Sequence, residues 1–368
     1  MTEFECGECR KEAPLCFGEG DGAIEVCYHS NFAPHHDLIL LDLPHLLLPE
    51  VLHQRVTLRG EPDEDAVLCT SSNTYALKTV ATSNSVLLIP PTHSPLVAPV
   101  IKLVSHTLEL SHVAPRLDKL RNLLRQRPYN PLKDSRPNDL YSWEDLVRLV
   151  QASDEELKSG LLSVSALEID GCWGIVDPQY MDSMLSIFLS NSVLNDWSFK
   201  SLVEDDVLSA LISDGFCPNL ALHCLRVFAR EVPGSDLLWM LDEKRVCVHL
   251  AHQILQNGSM KLEHFMREWS RKVPDGINPS FDILDGEVLS EKVGIETRVR
   301  SFSVSSLPVN PADRFSILFK ECPKWRWTDL QPYIRDLSVP GLSSEGLLMK
   351  FARKTQPSLD AEPIYSAR

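Results

Sequence analysis

The run that decides the fold is 141–176, YSWEDLVRLVQASDEELKSGLLSVSALEIDGCWGIV. Ser142 stands ahead of a helical apolar pattern, Leu146, Leu149 and Val150. A serine there accepts from backbone N–H groups that the first turn of a helix leaves without partners. Ser153 opens a second helix with Glu156 three residues on, the spacing of a capping box. That helix carries Leu157, Leu161, Leu162 and Val164. The period then changes. Leu167-Glu168-Ile169 and Trp173-Gly174-Ile175-Val176 read as strands around a turn at Asp170-Gly171-Cys172. Helix, helix and β-hairpin in that order make a winged-helix layout, with the hairpin as the wing.

Working outward, the same order recurs downstream. Residues 204–214 and 218–230 read as helices and Leu237 to Leu241 as a strand. Asp242 then caps a helix through Val246, Leu250, Ile254 and Leu255, a further helix covers 261–272, and 287–302 alternates as a long wing would. A third copy follows Pro308. Phe315, Leu318 and Phe319 mark one helix, Thr328 caps the next, and Ser343 or Ser344 opens the last, through Leu347, Leu348 and Phe351. Upstream, Pro115 starts a run with Leu117, Leu120, Leu123 and Leu124 on one face, and Pro128 ends it. Before that the pattern is β-like. Leu38–Leu43, Val51–Arg59, Ala66–Ser71, Thr74–Val80 and Ser85–Pro90 are short runs separated by turn chemistry at 59–63 and at Ser72-Asn73, with a proline linker near 90–99. The expected fold class is α+β: an amino-terminal small β-barrel or sheet domain, then three tandem winged helices. The boundaries read as an irregular acidic start at 1–36, a β domain at 37–110, and winged helices at 113–203, 204–305 and 306–368.

Composition narrows the function. The chain has 368 residues, 43% apolar, and a formal net charge of -15, which argues against a surface that coats nucleic acid throughout. The charge is uneven. Residues 1–70 hold 14 acids against 4 bases, whereas 310–368 hold 9 bases against 7 acids. No apolar run is long enough to span a bilayer, and the acidic first residues do not read as a secretory signal. Ten cysteines without an export signal point to a reducing compartment. Cys6 and Cys9 form a C-x-x-C pair, but no second close pair follows, so they read as free thiols. His35, His36 and Asp37 are adjacent and cannot easily ligate one ion from a strand. His249 and His252 read as a partly buried pair. Phosphate-loop, G-x-S-x-G, H-E-x-x-H and G-x-G-x-x-G patterns are missing, so neither catalysis, a cofactor nor a metal is expected.

One set of motifs is more specific. Arg59-Gly60, Ala66-Val67-Leu68-Cys69-Thr70, Thr74-Tyr75, Leu77-Lys78 and Thr82-Ser83-Asn84, then 115–129, 141–173, the W-x-x-x-V-P-x-G of 269–276 and the W-T-D-L-Q-P-Y-I-R-D-L of 327–337 resemble, in order, the Dcc family of sister-chromatid cohesion proteins. The resemblance implies a nuclear, non-enzymatic subunit of an alternative replication factor C clamp loader that loads or unloads the ring clamp PCNA. It implies a composite β module with a small Ctf-eight-type partner and the carboxy-terminal tail of the large Ctf subunit, attached to the small replication factor C subunits. It also implies that the winged helices contact DNA polymerase epsilon's catalytic subunit and double- or single-stranded DNA, without sequence preference. A winged-helix transcriptional regulator and a cullin-type or proteasome-type scaffold are the alternatives.

Candidate site residues follow. An open β sheet invites partner strands, and Val67, Leu68, Tyr75, Leu77, Leu87 and Leu88 are the candidates there. Asp154, Glu155 and Glu156, against Lys158 alone, make the second helix of the first unit better suited to a basic protein than to phosphates; with Trp173 they are candidates for the polymerase contact. For DNA, the final helix is expected to present Lys350, Arg353 and Lys354 together, with Arg335, Lys324 and Arg326 nearby.

Overall fold

In the computed structural model the Asp170-Gly171 turn closes a two-residue hairpin, with φ at 50° and 80° and Ile169 paired with Cys172. That is the pair of left-handed conformations a tight hairpin requires, and Asp-Gly adopts it at little cost. Ser142 and Ser153 both close capping boxes, with Asp145 and Glu156 respectively. The structure describes residues 15–17, 24–33, 35, 38–91, 97–133, 140–235, 237–337, 343–356, 358 and 361–368. Cys6, Cys9, His36 and Asp37 lie outside them.

The chain divides into two units, 1–113 and 114–368. In the first, β1 (Leu15–Phe17), β2 (Ile24–Tyr28), β3 (Leu41–Asp42), α1 (Leu48–His53), β4 (Thr57–Arg59), β5 (Val67–Cys69), β6 (Thr74–Leu88), β7 (Val97–Val100) and β8 (Lys102–Val113) form two sheets. Their orders are β1-β2-β7 and β3-β8-β6-β5-β4. The larger sheet is open, with β3 and β4 at its edges, so of the two expected forms, barrel or sheet, it is the sheet. The expected irregular start contains β1 and β2. The proline linker is in part β7, which pairs in parallel with β2. Val51–Arg59, read as a strand, is split. Pro49 lies in the first turn of α1, where its fixed φ favours a helix, and only β4 remains extended. The Ser72-Asn73 turn joins β5 to β6 as read, with Thr70 N–H donating to Asn73 O at 3.0 Å.

The second unit repeats one element order four times, not three. The first repeat is α2 (Leu117–Gln126), β9 (Tyr141–Ser142), α3 (Trp143–Leu149), α4 (Asp154–Ser163), β10 (Leu167–Ile169) and β11 (Cys172–Gly174). The second is α5 (Pro178–Leu194), β12 (Leu202–Val203), α6 (Glu204–Ser213), α7 (Pro218–Phe228), β13 (Ala229–Glu231) and β14 (Leu238–Leu241). The third is α8 (Glu243–Ile254), β15 (Met260–Lys261), α9 (Leu262–Lys272), a single 3-10 turn at Phe281–Leu284, β16 (Val288–Val293) and β17 (Glu296–Ser301). The fourth is α10 (Pro311–Glu321), β18 (Lys324–Arg326), α11 (Trp327–Leu330), α12 (Ser344–Phe351), β19 (Ala352–Thr355) and β20 (Ile364–Ala367). In each, the last strand lies between the other two: β10-β11-β9, β12-β14-β13, β15-β17-β16 and β18-β20-β19. The copy that the sequence merged with its neighbours opens with α5. Asp177 caps that helix through Gln179 N–H (3.0 Å) and Tyr180 N–H (3.1 Å).

Burial follows this order. One apolar cluster serves the first repeat, one is continuous through the second and third, and one fills the fourth. Trp269 and Trp325 are fully buried, and their indole N–H groups donate to Cys247 O and Leu318 O, both at 2.9 Å. Tyr333 donates to Val288 O at 2.8 Å, tying the fourth repeat to the base of the third hairpin. Arg314, 1% exposed, donates to Pro308 O, Tyr333 O and Asp336, so its buried charge is paired and its N–H groups are satisfied.

Two histidine–carboxylate pairs pin α8. His249 Nε2 lies 2.6 Å from Asp182 on α5, and His252 Nε2 lies 2.9 Å from Glu287. Burial opposes ionisation at both carboxyls. Hydrogen bonds from His249, Gln253 and Gln256 at Asp182, and from His252 and Ser303 at Glu287, outweigh it and hold both below their ordinary range. A carboxyl depressed in the fold adds stability above its unfolded pKa, about 4, and loses that contribution as pH falls through the folded value. A variant carrying Asp182→Asn and Glu287→Gln should therefore melt below the wild type at pH 7. Its deficit should shrink as pH is lowered from about 5 to 3; a deficit constant over that range contradicts the pairing.

Candidate nucleic-acid and partner surfaces

The sheet β18-β20-β19 sorts the carboxy-terminal cations by strand parity. Lys324 and Arg353 both lie opposite Ser366, while Arg326 and Thr355 lie opposite Ile364. Directly paired residues share a face, and alternate residues return to it. Lys324, Arg326 and Arg353 therefore stand on one face, all exposed. Trp325 and Tyr365, opposite one another and buried at 2% and 7%, define the inner face. Lys354 pairs with Tyr365 and belongs to that inner row, at its open end. The expectation that Lys350, Arg353 and Lys354 share a helix face is corrected here. The helix α12 ends at Phe351, because 352–355 pairs with β20, and residues 353 and 354 on a strand point to opposite sides.

Lys350 sits in the last turn of α12, its ammonium 5.5 Å from the Phe351 ring centroid. Arg368 donates to Met349 O at 2.9 Å, bringing a further cation to that helix end, where cations meet the negative end of the dipole. The sequence reading did not single it out. Arg335 is exposed beyond the 3-10 turn at Gln331–Tyr333 and does not belong to the sheet face. Arg326 has acidic neighbours: burial pushes the Asp329 carboxyl up against the pull of Arg326, and the Thr328 N–H, with Arg326 adding to it, holds Glu362 down.

The acidic helix α4 separates into different roles. Glu156 accepts from Ser153 N–H at 2.8 Å and so completes the cap. Asp154 is half-buried, and Glu155 is the exposed carboxylate of the three. Trp173 is half-buried and packs against the core of the first repeat. Lys158 lies 5.8 Å from the Trp143 ring centroid, so the outer side of this repeat mixes one aromatic ring with both charges.

In the first unit, Val67 and Leu68 are buried at 8% and 4% and serve the unit's own packing. Tyr75 meets the His112 ring edge-on at 5.5 Å, and Leu77 lies opposite Leu110. Leu87 and Leu88, both half-buried, pair with Leu103 and Lys102 beyond the register shift between Ala81 and Val86. Leu58 on the edge strand β4 is 63% exposed and was not among the expected residues. Among the described residues, 1–113 expose twelve large apolar side chains and 114–368, more than twice as long, expose eleven. All three apolar clusters fall in the second unit.

Comparison with known proteins agrees with the motifs read from the sequence. The family model described as "Sister chromatid cohesion protein Dcc1" matches residues 38–334. The chain belongs to the Dcc1 family. It is 34% identical to sister chromatid cohesion protein DCC1 of Danio rerio over 331 residues, 84% of each chain. It is 30% identical to the Xenopus tropicalis protein of that name over 354 residues (90% and 89% of the two chains) and 28% identical to the human one over 372 (96% and 92%). These relatives are named for sister chromatid cohesion. Among the described residues, no helix is long and apolar enough to cross a membrane.

The division of labour within α4 is directly measurable. Glu156→Gln should keep most of the cap, whereas Glu156→Lys should lower stability by about 1 kcal/mol. Glu155→Lys should leave the melting temperature within about a degree of the wild type, since exposed single charges contribute little. Equal losses for the two lysine variants in thermal unfolding would contradict the assignment.

Proposed function

We propose that this Dcc1-family chain serves sister chromatid cohesion in the nucleus as a non-catalytic subunit of the alternative replication factor C clamp loader acting on PCNA. The observation that carries the proposal is the unfinished burial of the first unit: among the described residues, an open sheet with β3 and β4 at its edges, twelve exposed large apolar side chains and no apolar cluster. A segment with that much apolar surface is stable with something covering it. Strands from the small Ctf-eight-type subunit and from the tail of the large Ctf subunit, added at β3 and β4, would supply that cover by backbone pairing and apolar contact.

The four repeats are read as winged helices, at about 117–176, 178–241, 243–301 and 311–368, in place of the three at 113–203, 204–305 and 306–368. A row of such modules spaces partner surfaces along a scaffold. Glu155 and its half-buried neighbour Asp154 face outward on the first, where a basic surface of polymerase epsilon would dock. The outer face of β18-β20-β19 takes the sugar–phosphate backbone through Lys324, Arg326 and Arg353. These cations have no Asn or Gln among them to read a base edge, so binding there is independent of sequence, as suits a loader that acts anywhere on the chromosome.

One substitution tests the assembly. Leu58→Glu replaces an exposed side chain, so the free chain should melt as the wild type does, yet co-purification with the two Ctf chains should fail. Retained co-purification would remove β4 from the interface. For DNA, replacing Lys324, Arg326 and Arg353 together by Gln in the full chain should weaken duplex binding. The slope of log affinity against log salt should shrink by about two to three. An unchanged slope places the phosphate contacts elsewhere.

A further inference from the structure

A second concentration of positive charge lies away from the carboxy-terminal sheet. A recess of about 1240 Å³ runs between the first three repeats of the second unit. Its walls carry Arg121 and Arg125 of α2, Arg230 of β13, and Lys244 and Arg245 of α8. Five cations against two carboxylates, Asp242 and Glu287, gather in a chain whose net charge is -15.

Both carboxylates are already engaged. Asp242 caps α8 through Arg245 N–H and is shared by the Arg230 and Arg245 guanidinium groups. Glu287 is held by His252. Arg121 donates to Ser305 O at 3.0 Å, a neutral partner, while the Lys244 charge acts on Glu287 without a close ion pair. Arg121 and Arg125 are four apart on one helix, a spacing at which like charges repel. Burial lowers the Arg121 pKa, and the charges of Arg125 and Arg314 lower it further, against an opposing pull from Asp118 and Asp336. The remaining histidine in the wall, His223, is pushed down to about 4, first by burial and then by Arg226, so it adds no charge near neutrality. Among the residues that line the recess, cations therefore outnumber carboxylates five to two, and Asp242 serves two of the five.

We infer that this recess binds a compact soluble anion with clustered phosphates. Guanidinium forks and an ammonium group converging from three elements match several phosphate oxygens at once. The volume is ample for a ligand of inositol-polyphosphate or tripolyphosphate size. A concave recess does not follow the convex backbone of a duplex, which separates it from the exposed face of β18-β20-β19. The inference is independent of the clamp-loader reading, since it uses neither the first unit nor any partner chain.

The test uses the full chain in isothermal titration calorimetry with inositol hexakisphosphate, with sodium tripolyphosphate, with ATP in the absence of magnesium, and with a short single-stranded oligonucleotide. Wild type is expected to bind the first two, weakening as salt rises, and to melt at a higher temperature with either present. Arg125→Gln combined with Lys244→Gln should reduce that affinity by about tenfold or more, the ordinary worth of charge-assisted contacts. Lys350→Gln combined with Arg353→Gln should leave it unchanged. If ATP binds as tightly as tripolyphosphate and loses affinity with the same pair of substitutions, the phosphates of a nucleotide are the natural source; if ATP binds far more weakly, a free polyphosphate is. Absence of binding or of a melting shift in the wild type overturns the proposal. So does a loss that follows the sheet-face pair instead, or an oligonucleotide that binds through Arg125 and Lys244 while neither soluble polyphosphate does.

Discussion

An aspartate that follows one sheet's central strand within three residues and caps the next helix sets two junctions of the second unit. Asp177 follows β11 and caps α5; Asp242 follows β14 and caps α8. Both are buried, at 8% and 5%. A buried carboxylate is tolerable only when its oxygens are fully used. Asp177 accepts two backbone N–H groups and lies 3.6 Å from Lys133. Asp242 accepts from Arg245 N–H and binds two guanidinium groups. Strand direction and helix direction are thereby locked at a single residue, and no flexible linker is left at either junction. That is why the apolar cluster runs without a break from Val176 to Val299, through two repeats that were each too small to hold a large core alone.

The first unit is built under the opposite constraint. Its two longest strands, β6 and β8, pair along most of their length, which satisfies the backbone but leaves much of both faces uncovered. Only Leu47, Val67, Leu68, Cys69, Val100 and Val104 are buried apolar residues there, among those described. A sheet gains its stability from the side chains packed on it more than from its ladder. One unit of this chain is thus finished by its own sequence, and the other leaves much apolar surface exposed among its described residues.

What the sequence made legible was local. Ser142, Ser153, Asp242 and Ser343 announce helices because a cap is a contact between near neighbours, and Asp170-Gly171 announces a hairpin for the same reason. The signals that failed were non-local or weak. The strand 352–355 exists because β20 pairs with it, so Arg353 and Lys354 read as helical until their partner strand was seen. The third repeat replaces a full helix by one 3-10 turn at Phe281–Leu284, which carries no apolar period, and so two repeats were merged into one. Thr328 was read as a cap, yet its N–H is taken by Glu362, 34 residues away. Of the expected cations, Lys324, Arg326 and Arg353 share one exposed sheet face, while Lys350, Arg353 and Lys354 do not share a helix face. Glu156 looked like surface charge although the capping-box spacing already assigned its carboxylate.

The two units differ in completeness, and hydrogen–deuterium exchange of the full chain, alone and then with the two Ctf chains proposed to cover the first unit, tests this most directly. Amides of β4, β5 and β6 should exchange quickly in the free chain and become protected in the complex, while those of α7, α8 and β17 should be slow in both. A first unit as strongly protected as the second in the free chain, with no further change on adding the partners, would contradict the account.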